Sequence, residues 1–327
     1  SLESITLPFV GESENADYYE AVFGYVFGYT YVEKGSYKVH APSKEFVNTS
    51  YTSSDGVWQY TCEASYNNKI LTSGNGVYDA VFFYYIPMSL REVIVTRQTS
   101  LPVAAFNGCS MLEKIALENV ITSIGSCAFQ NCTSLKQFNS ETDGVFNVPT
   151  SVKSISSYAF YNCALAETIT LSDEVTSIGS YAFAGCSLVS RFNSDSVTEL
   201  IVPASCATIG EYAFKGMALI TNVVVPDSVE TIGNAAFNDF NSLESITLPF
   251  VGGTRDSTNA FRYVFGTVPA SLKAVTVSDD VSIPSSAFNG CSMLEKISLE
   301  NEVTSIGSYA FQNCTSLKQF NSETDGV

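Results

Sequence analysis

Short β-branched runs punctuate the chain, and within them apolar residues alternate with polar ones. Ile5/Leu7, Ile115/Leu117, Ile169/Leu171 and Val275/Val277 stand at period two in ESITLP (Glu3–Pro8), EKIALE (Glu113–Glu118), ETITLS (Glu167–Ser172) and AVTVS (Ala274–Ser278). NVVVP (Asn222–Pro226) is a further run of the same kind. This period, closed by Pro or a polar turn, predicts strands with one buried face. Eight stretches of a second kind lie between them: SLPVAAFNGC, SIGSCAFQNC, SISSYAFYNC, SIGSYAFAGC, TIGEYAFKGM, TIGNAAFNDF, SIPSSAFNGC and SIGSYAFQNC. Their phenylalanines are Phe106, Phe129, Phe160, Phe183, Phe214, Phe237, Phe288 and Phe311, at steps of 23, 31, 23, 31, 23, 51 and 23. The unit is therefore 23 residues, sometimes with eight more, and the step of 51 hides a degenerate unit around Ser257–Gly266. A unit with one strand cannot bury its apolar side alone. Stacked units build a parallel sheet over one continuous core, with eleven strands expected between Glu3 and Phe320.

A longer period lies over this one. Pro87–Val145 repeats as Pro269–Val327 at a shift of 182, and Ser1–Gly11 recurs unchanged as Ser242–Gly252. Gly28 corresponds to Gly266, after which the first copy inserts Tyr29–Ile86 where the second has only Thr267-Val268. The expected organisation is repeats over 1–28, an aromatic-rich β insert over 29–86, and repeats over 87–327, with the second pass beginning at 269. The insert should leave and return at neighbouring points without displacing a coil. The chain begins without Met and stops within a motif that is complete elsewhere, so it is expected to be a piece of a longer protein.

The stretches with IG-x-x-AF-x-x-C at a 23-residue step resemble the BspA-type leucine-rich repeats. The resemblance implies a mainly β leucine-rich-repeat solenoid: a parallel concave sheet, with short turns or 3-10 pieces on the convex side. It also implies a bacterial protein, secreted or on the cell surface, that binds a host or cell-surface protein or glycan.

Composition narrows the chemistry. With 33 acidic and 16 basic residues the net charge is −17, which repels phosphate backbones and excludes nucleic acid as an expected partner. No apolar run is long enough to span a bilayer. The one histidine, His40, rules out two-histidine chemistry, and no nucleophile, base and acid converge, so neither an enzyme nor a cofactor is expected. Cys109, Cys132, Cys163, Cys186, Cys291 and Cys314 share one place in the unit. Met217 and Phe240 fill that place elsewhere, so the column reads as buried, reduced and metal-free. Cys62, Cys127 and Cys206 fit no disulfide framework. The acidic turns Ser172-Asp173-Glu174, Pro226-Asp227, Ser278-Asp279-Asp280 and Glu300-Asn301-Glu302 lack the spacing of a calcium loop. The sequons at Asn48, Asn131 and Asn313 carry no weight.

The phenylalanine column predicts a buried spine. The outward strand positions, among them Ser4/Thr6, Lys114/Ala116, Thr168/Thr170, Ser245/Thr247 and Lys296/Ser298, read as a small, neutral face. The insert holds 13 aromatics, and Trp58, Tyr60 and Tyr66 are the candidate ligand contacts. The alternative is that these rings form the core of a small module. The leading expectation is a non-enzymatic extracellular or surface adhesion protein that recognises a protein ligand. A spacer for another domain, or a carbohydrate binder acting through the insert, stays open beside it.

Overall fold

The computed structural model describes residues 2–10, 89–118, 120–255, 257–279 and 282–321 in full, and the backbone of six strands within 29–87. The alternating runs form one parallel sheet of thirteen strands in chain order, each presenting alternate residues to the core. Burial of Val93, Val95, Ile115, Ile169, Val223 and Val275 beneath partly exposed neighbours follows that pleat.

Thirteen exceeds the expected eleven because each eight-residue expansion adds a rung. Gln137–Phe138 and Val145–Asn147 pair in parallel, Gln137 opposite Val145, so residues 139–144 loop out and bring the chain back beside itself. Arg191–Phe192 and Glu199–Ile201 repeat the arrangement. The extra rung opens room above the spine, and a phenyl fills it. Phe138 stands edge-on to Phe129 and Phe160 (centroids 5.0 and 5.3 Å apart), and Phe192 does the same between Phe183 and Phe214 (5.2 and 5.3 Å).

The Ser-Leu, Ser-Ile and Thr-Ile pairs of the second motif form a short parallel ladder of their own, Ser100–Leu101 through Thr231–Ile232, with Ser282–Ile283 and Ser305–Ile306 as a separate pair. The face opposite the long sheet thus carries strands as well as turns. Next to the ladder, alternate amides reach the following coil: Ala104, Phe106 and Gly108 N–H donate to Ser126, Ala128 and Gln130 carbonyls at 2.7–2.8 Å. The degenerate unit keeps its place through the Ile232 N–H bond to Gly253 O at 2.8 Å and holds a 3-10 helix, Phe261–Val264.

Phe106, Phe129, Phe160, Phe183, Phe214, Phe237 and Phe288 are fully buried and Phe311 partly so. Adjacent rings from Phe106 to Phe237 are near-parallel with centroids 5.3–6.1 Å apart. Phe265 and Phe261 carry the column across the degenerate unit to Phe288.

The cysteine column lies on the same core. Cys132, Cys163 and Cys186 Sγ–H donate to the Phe106, Phe129 and Phe160 carbonyls of the preceding coil at 3.1–3.3 Å. All six cysteines of this column are free thiols, as is Cys206, and no metal-holding cluster occurs among the described residues. Burial pushes these thiols up, Cys186 and Cys291 to about 12 and Cys206 to about 11. A folded thiol held above its unfolded value near 9.0 contributes stability that is full below pH 9 and is lost as pH rises through the folded value. Urea midpoints should therefore fall between pH 8 and pH 10.5, and iodoacetamide at pH 8 should label Cys132, Cys163 and Cys186 only after unfolding. Rapid native labelling would contradict this placement.

Cys127, which fits no disulfide framework in the sequence, is disulfide-bonded, with its partner outside the described residues. Its place explains the difference. Cys127 does not belong to the inward cysteine column but stands where other coils carry Tyr158, Tyr181, Tyr212 and Tyr309.

The segment 8–91, which holds the expected insert, starts and ends at adjacent rungs of the long sheet. Ser4–Leu7 pairs directly with Glu92–Val95, Ser4 opposite Glu92, just as Ser245–Leu248 pairs with Ala274–Val277, Ser245 opposite Ala274. Its described strands form an antiparallel sheet with Ala80–Pro87 between Tyr29–Glu33 and Gly56–Tyr60, Ser36–His40 at the edge, and a separate hairpin of Ile70–Leu71 with Val77–Tyr78.

Candidate functional site

Two surfaces of the described array gather polar or aromatic side chains: the outward face of the long sheet, and the turns beside the short ladder. On the turns, Tyr158, Tyr181 and Tyr212 stack at 4.8 and 4.9 Å, and Tyr161 leans against the first at 5.6 Å. Each ring covers the face of the next, and Lys215 Nζ lies 5.3 Å from the Tyr212 centroid. The ladder therefore presents edges rather than open ring faces. Partial burial, then the neighbouring tyrosines and Glu211, raise the Tyr158 and Tyr181 hydroxyls above their ordinary range.

The long-sheet face is built differently. Alternate residues project outward, and parallel pairing in register brings equivalent positions of successive coils side by side. Beyond the neutral positions read from the sequence, the expansion rungs add Gln137, Arg191 and Glu199. Glu199 is engaged: Ser194 Oγ donates to it, Asn222 Nδ2 donates to its Oε1 at 2.6 Å, and Ser245 Oγ continues the row to Asn222 Oδ1 at 2.7 Å. After each expansion phenylalanine comes an asparagine with positive φ, Asn139 and Asn193. Their Oδ1 atoms accept from the Leu117 and Leu171 amides at 2.7 and 2.6 Å. These side chains fix where each expansion loop leaves the sheet.

Around the first expansion the charges satisfy one another. Lys114 Nζ lies 2.8 Å from Glu141 and 3.2 Å from Glu92, Lys136 lies 3.0 Å from Glu113 and 3.6 Å from Asp143, and Gln137 donates to Asp143 at 2.7 Å. The Glu141 and Glu92 carboxylates raise the Lys114 ammonium, and Glu113 with Asp143 raises that of Lys136. The second expansion opens onto a groove of about 500 Å³ lined by Thr168, Thr170, Asp173, Arg191, Asn193 and Asp195, with Leu171 and Ser194.

The acidic turns are drawn into the scaffold. Arg255 of the degenerate unit pairs with Asp279 and donates to Asp227 O at 2.7 Å. Lys153 pairs with Glu174 and lowers its carboxyl below the usual range.

Of the candidate ligand contacts, Trp58 and Tyr60 lie on the strand Gly56–Tyr60, opposite Tyr85 and Phe83; Tyr66 lies outside the described residues, as does the sequon at Asn48. Arg191, Asn193 and Asp195 were not singled out from the sequence. Their only sequence signal is the extra eight residues together with the phenylalanine-asparagine-serine triplet that opens each expansion.

A family model for BspA type leucine rich repeat regions matches the chain in six copies, over residues 144–200 and 189–318. A comparison with curated proteins returned no match. Similar solved structures include a leucine-rich repeat protein from Bacteroides ovatus, at 21% identity over 82% of this chain and 81% of that one, TM-score 0.43. Another is a leucine rich cell surface protein from Faecalibacterium prausnitzii, at 21% identity over 85% and 96%, TM-score 0.29. The pneumococcal vaccine antigen PcpA is similar at 18% identity over 67% and 68%, TM-score 0.41.

Proposed function

We propose a binding function that starts from one established fact: the chain belongs to the BspA-type leucine-rich repeat family. The protein acts outside the cytoplasm, on a cell surface or secreted, as a non-enzymatic scaffold that holds a protein or glycan partner on the outward face of its long sheet. The observation that carries this reading is the uneven polar face. A run of thirteen rungs in register holds its side chains rigidly, and one stretch of it, around Arg191, leaves polar groups unused beside a groove. The disulfide at Cys127 supports an oxidising compartment. No helix among the described residues is long and apolar enough to cross a membrane. The perturbed ionisable groups are core thiols, ladder tyrosines and exposed ion pairs, which suits a scaffold better than a reaction centre.

The test is capture of purified secreted glycoproteins by the immobilised full chain. Thr170→Arg/Thr247→Arg, which crowds the sheet face, should lose capture at least tenfold. Glu230→Arg, an exposed change beside the short ladder, should not. Equal capture by both variants would contradict the reading.

A further inference from the structure

We infer that the groove at the second expansion is a saccharide site for uncharged, hydroxyl-rich sugars, an inference that rests on the sheet face being the recognition surface. The two expansions are one device built twice, and only one of them is closed. Aligned by register, Gln137 corresponds to Arg191, Asn139 to Asn193, Ser140 to Ser194, Glu141 to Asp195 and Asp143 to Val197. The rung beneath supplies Lys114 opposite Gln137 in the first copy and Thr168 opposite Arg191 in the second. In the first copy Lys114 takes up Glu141, and Asp143 takes up Gln137. In the second, threonine replaces the lysine and valine replaces the aspartate. Asp195 loses its cation and Arg191 loses its acceptor. Neither forms an ion pair among the described residues. Asn193, whose Oδ1 is fixed by the Leu171 amide, has a buried Nδ2 without an acceptor.

The chemistry left open selects the ligand. The chain carries −17 overall, and the groove holds two carboxylates to one guanidinium, so an anion is disfavoured. An uncommitted Arg191 on the wall opposes a cation. No aromatic ring lines the groove and Leu171 is its only large apolar residue, which removes the anchors a peptide would need. A hydroxyl donates and accepts at once, so neighbouring sugar hydroxyls donate to Asp195 and Asp173 while accepting from Arg191 and from the Thr168 and Thr170 hydroxyls. The volume of about 500 Å³ lies within the range of small-ligand sites.

The experiment is a glycan array printed with neutral hexose and N-acetylhexosamine oligosaccharides and with uronic- and sialic-acid-bearing ones. Calorimetric titration of the full chain with the strongest neutral binder follows. Neutral members should bind, and Arg191→Ala and Asp195→Asn should each weaken binding at least tenfold at unchanged melting temperature. Lys153→Ala, an exposed change beside the short ladder, should bind as the wild type does. The proposal is overturned if no array member binds, if only acidic members bind, or if Arg191→Ala binds normally. Glycoproteins stripped of their glycans separate the two readings. If they are still captured through the sheet face while no sugar binds, the saccharide site falls and the binding scaffold stands; if nothing is captured, both fall.

Discussion

Replacing Phe160 by alanine should destabilise the protein by about 3–5 kcal/mol, the cost of emptying a rigid core site of a phenyl ring. Phe160 is fully buried and touches four other phenyls: Phe129 and Phe183 stacked at 5.4 Å, Phe138 edge-on at 5.3 Å and Phe146 at 6.1 Å. Those neighbours come from the spine and from the two rungs that flank the first expansion loop, so the site cannot collapse without moving both of those rungs. Stability in a stacked array is close to a sum of coil and interface terms, and the loss at Phe160 falls on an interior interface. Urea unfolding should then separate into two phases. Phe311→Ala, at a partly buried ring with a single stacked spine neighbour, should cost less than half as much. A loss under 1 kcal/mol at Phe160 would mean that the column is not a packed spine.

The second large effect is expected at Gly210. A Cβ there would sit 2.3 Å from Ser180 N and 2.5 Å from Gly179 C, backbone atoms of the preceding coil with no freedom to swing aside. Gly210 N–H also donates to Ile178 O at 2.8 Å. Gly210→Ala must therefore spread two coils, at a cost of about 3 kcal/mol, the upper part of the overpacking range. Gly216 is the control. Its nearest neighbour atom lies 3.8 Å away, but its φ is +86°, so alanine there meets only backbone strain of about 1–2 kcal/mol. The difference between the two variants in thermal or urea melts measures how closely the coils approach.

Much of this architecture was legible because each coil repeats the same demand. A phenylalanine every 23 residues must occupy equivalent space, and period-two runs must pair in parallel. The column before each cysteine place is equally legible. Gly108, Asn131, Asn162, Gly185, Gly216, Asp239, Gly290 and Asn313 all have positive φ, and only glycine, asparagine and aspartate occur there, the types that tolerate it. Tyr158, Tyr181 and Tyr212 also have positive φ, and nothing local predicts a tyrosine in that conformation. The inter-coil bonds of their amides to Ser180, Glu211 and Asn234 carbonyls hold it there, as Ala104, Ala235 and Ser286 take the same conformation without a ring. The expected eleven strands leave out the rungs of the two eight-residue expansions, since only register shows that each expansion adds one. For the same reason the groove was invisible. Arg191 becomes notable only once Thr168 is known to lie opposite it and Lys114 opposite its counterpart Gln137.

The most direct measurement sets the outward face of the long sheet against the insert. Glycoprotein capture would be compared for the wild type, for Arg191→Ala/Thr170→Arg on the sheet face and for Trp58→Ala/Tyr60→Ala in the insert, all with matched melting temperatures. Capture lost at least tenfold on the sheet-face variant and kept on the insert variant is the expected result; the reverse pattern would contradict a recognition surface on the long sheet.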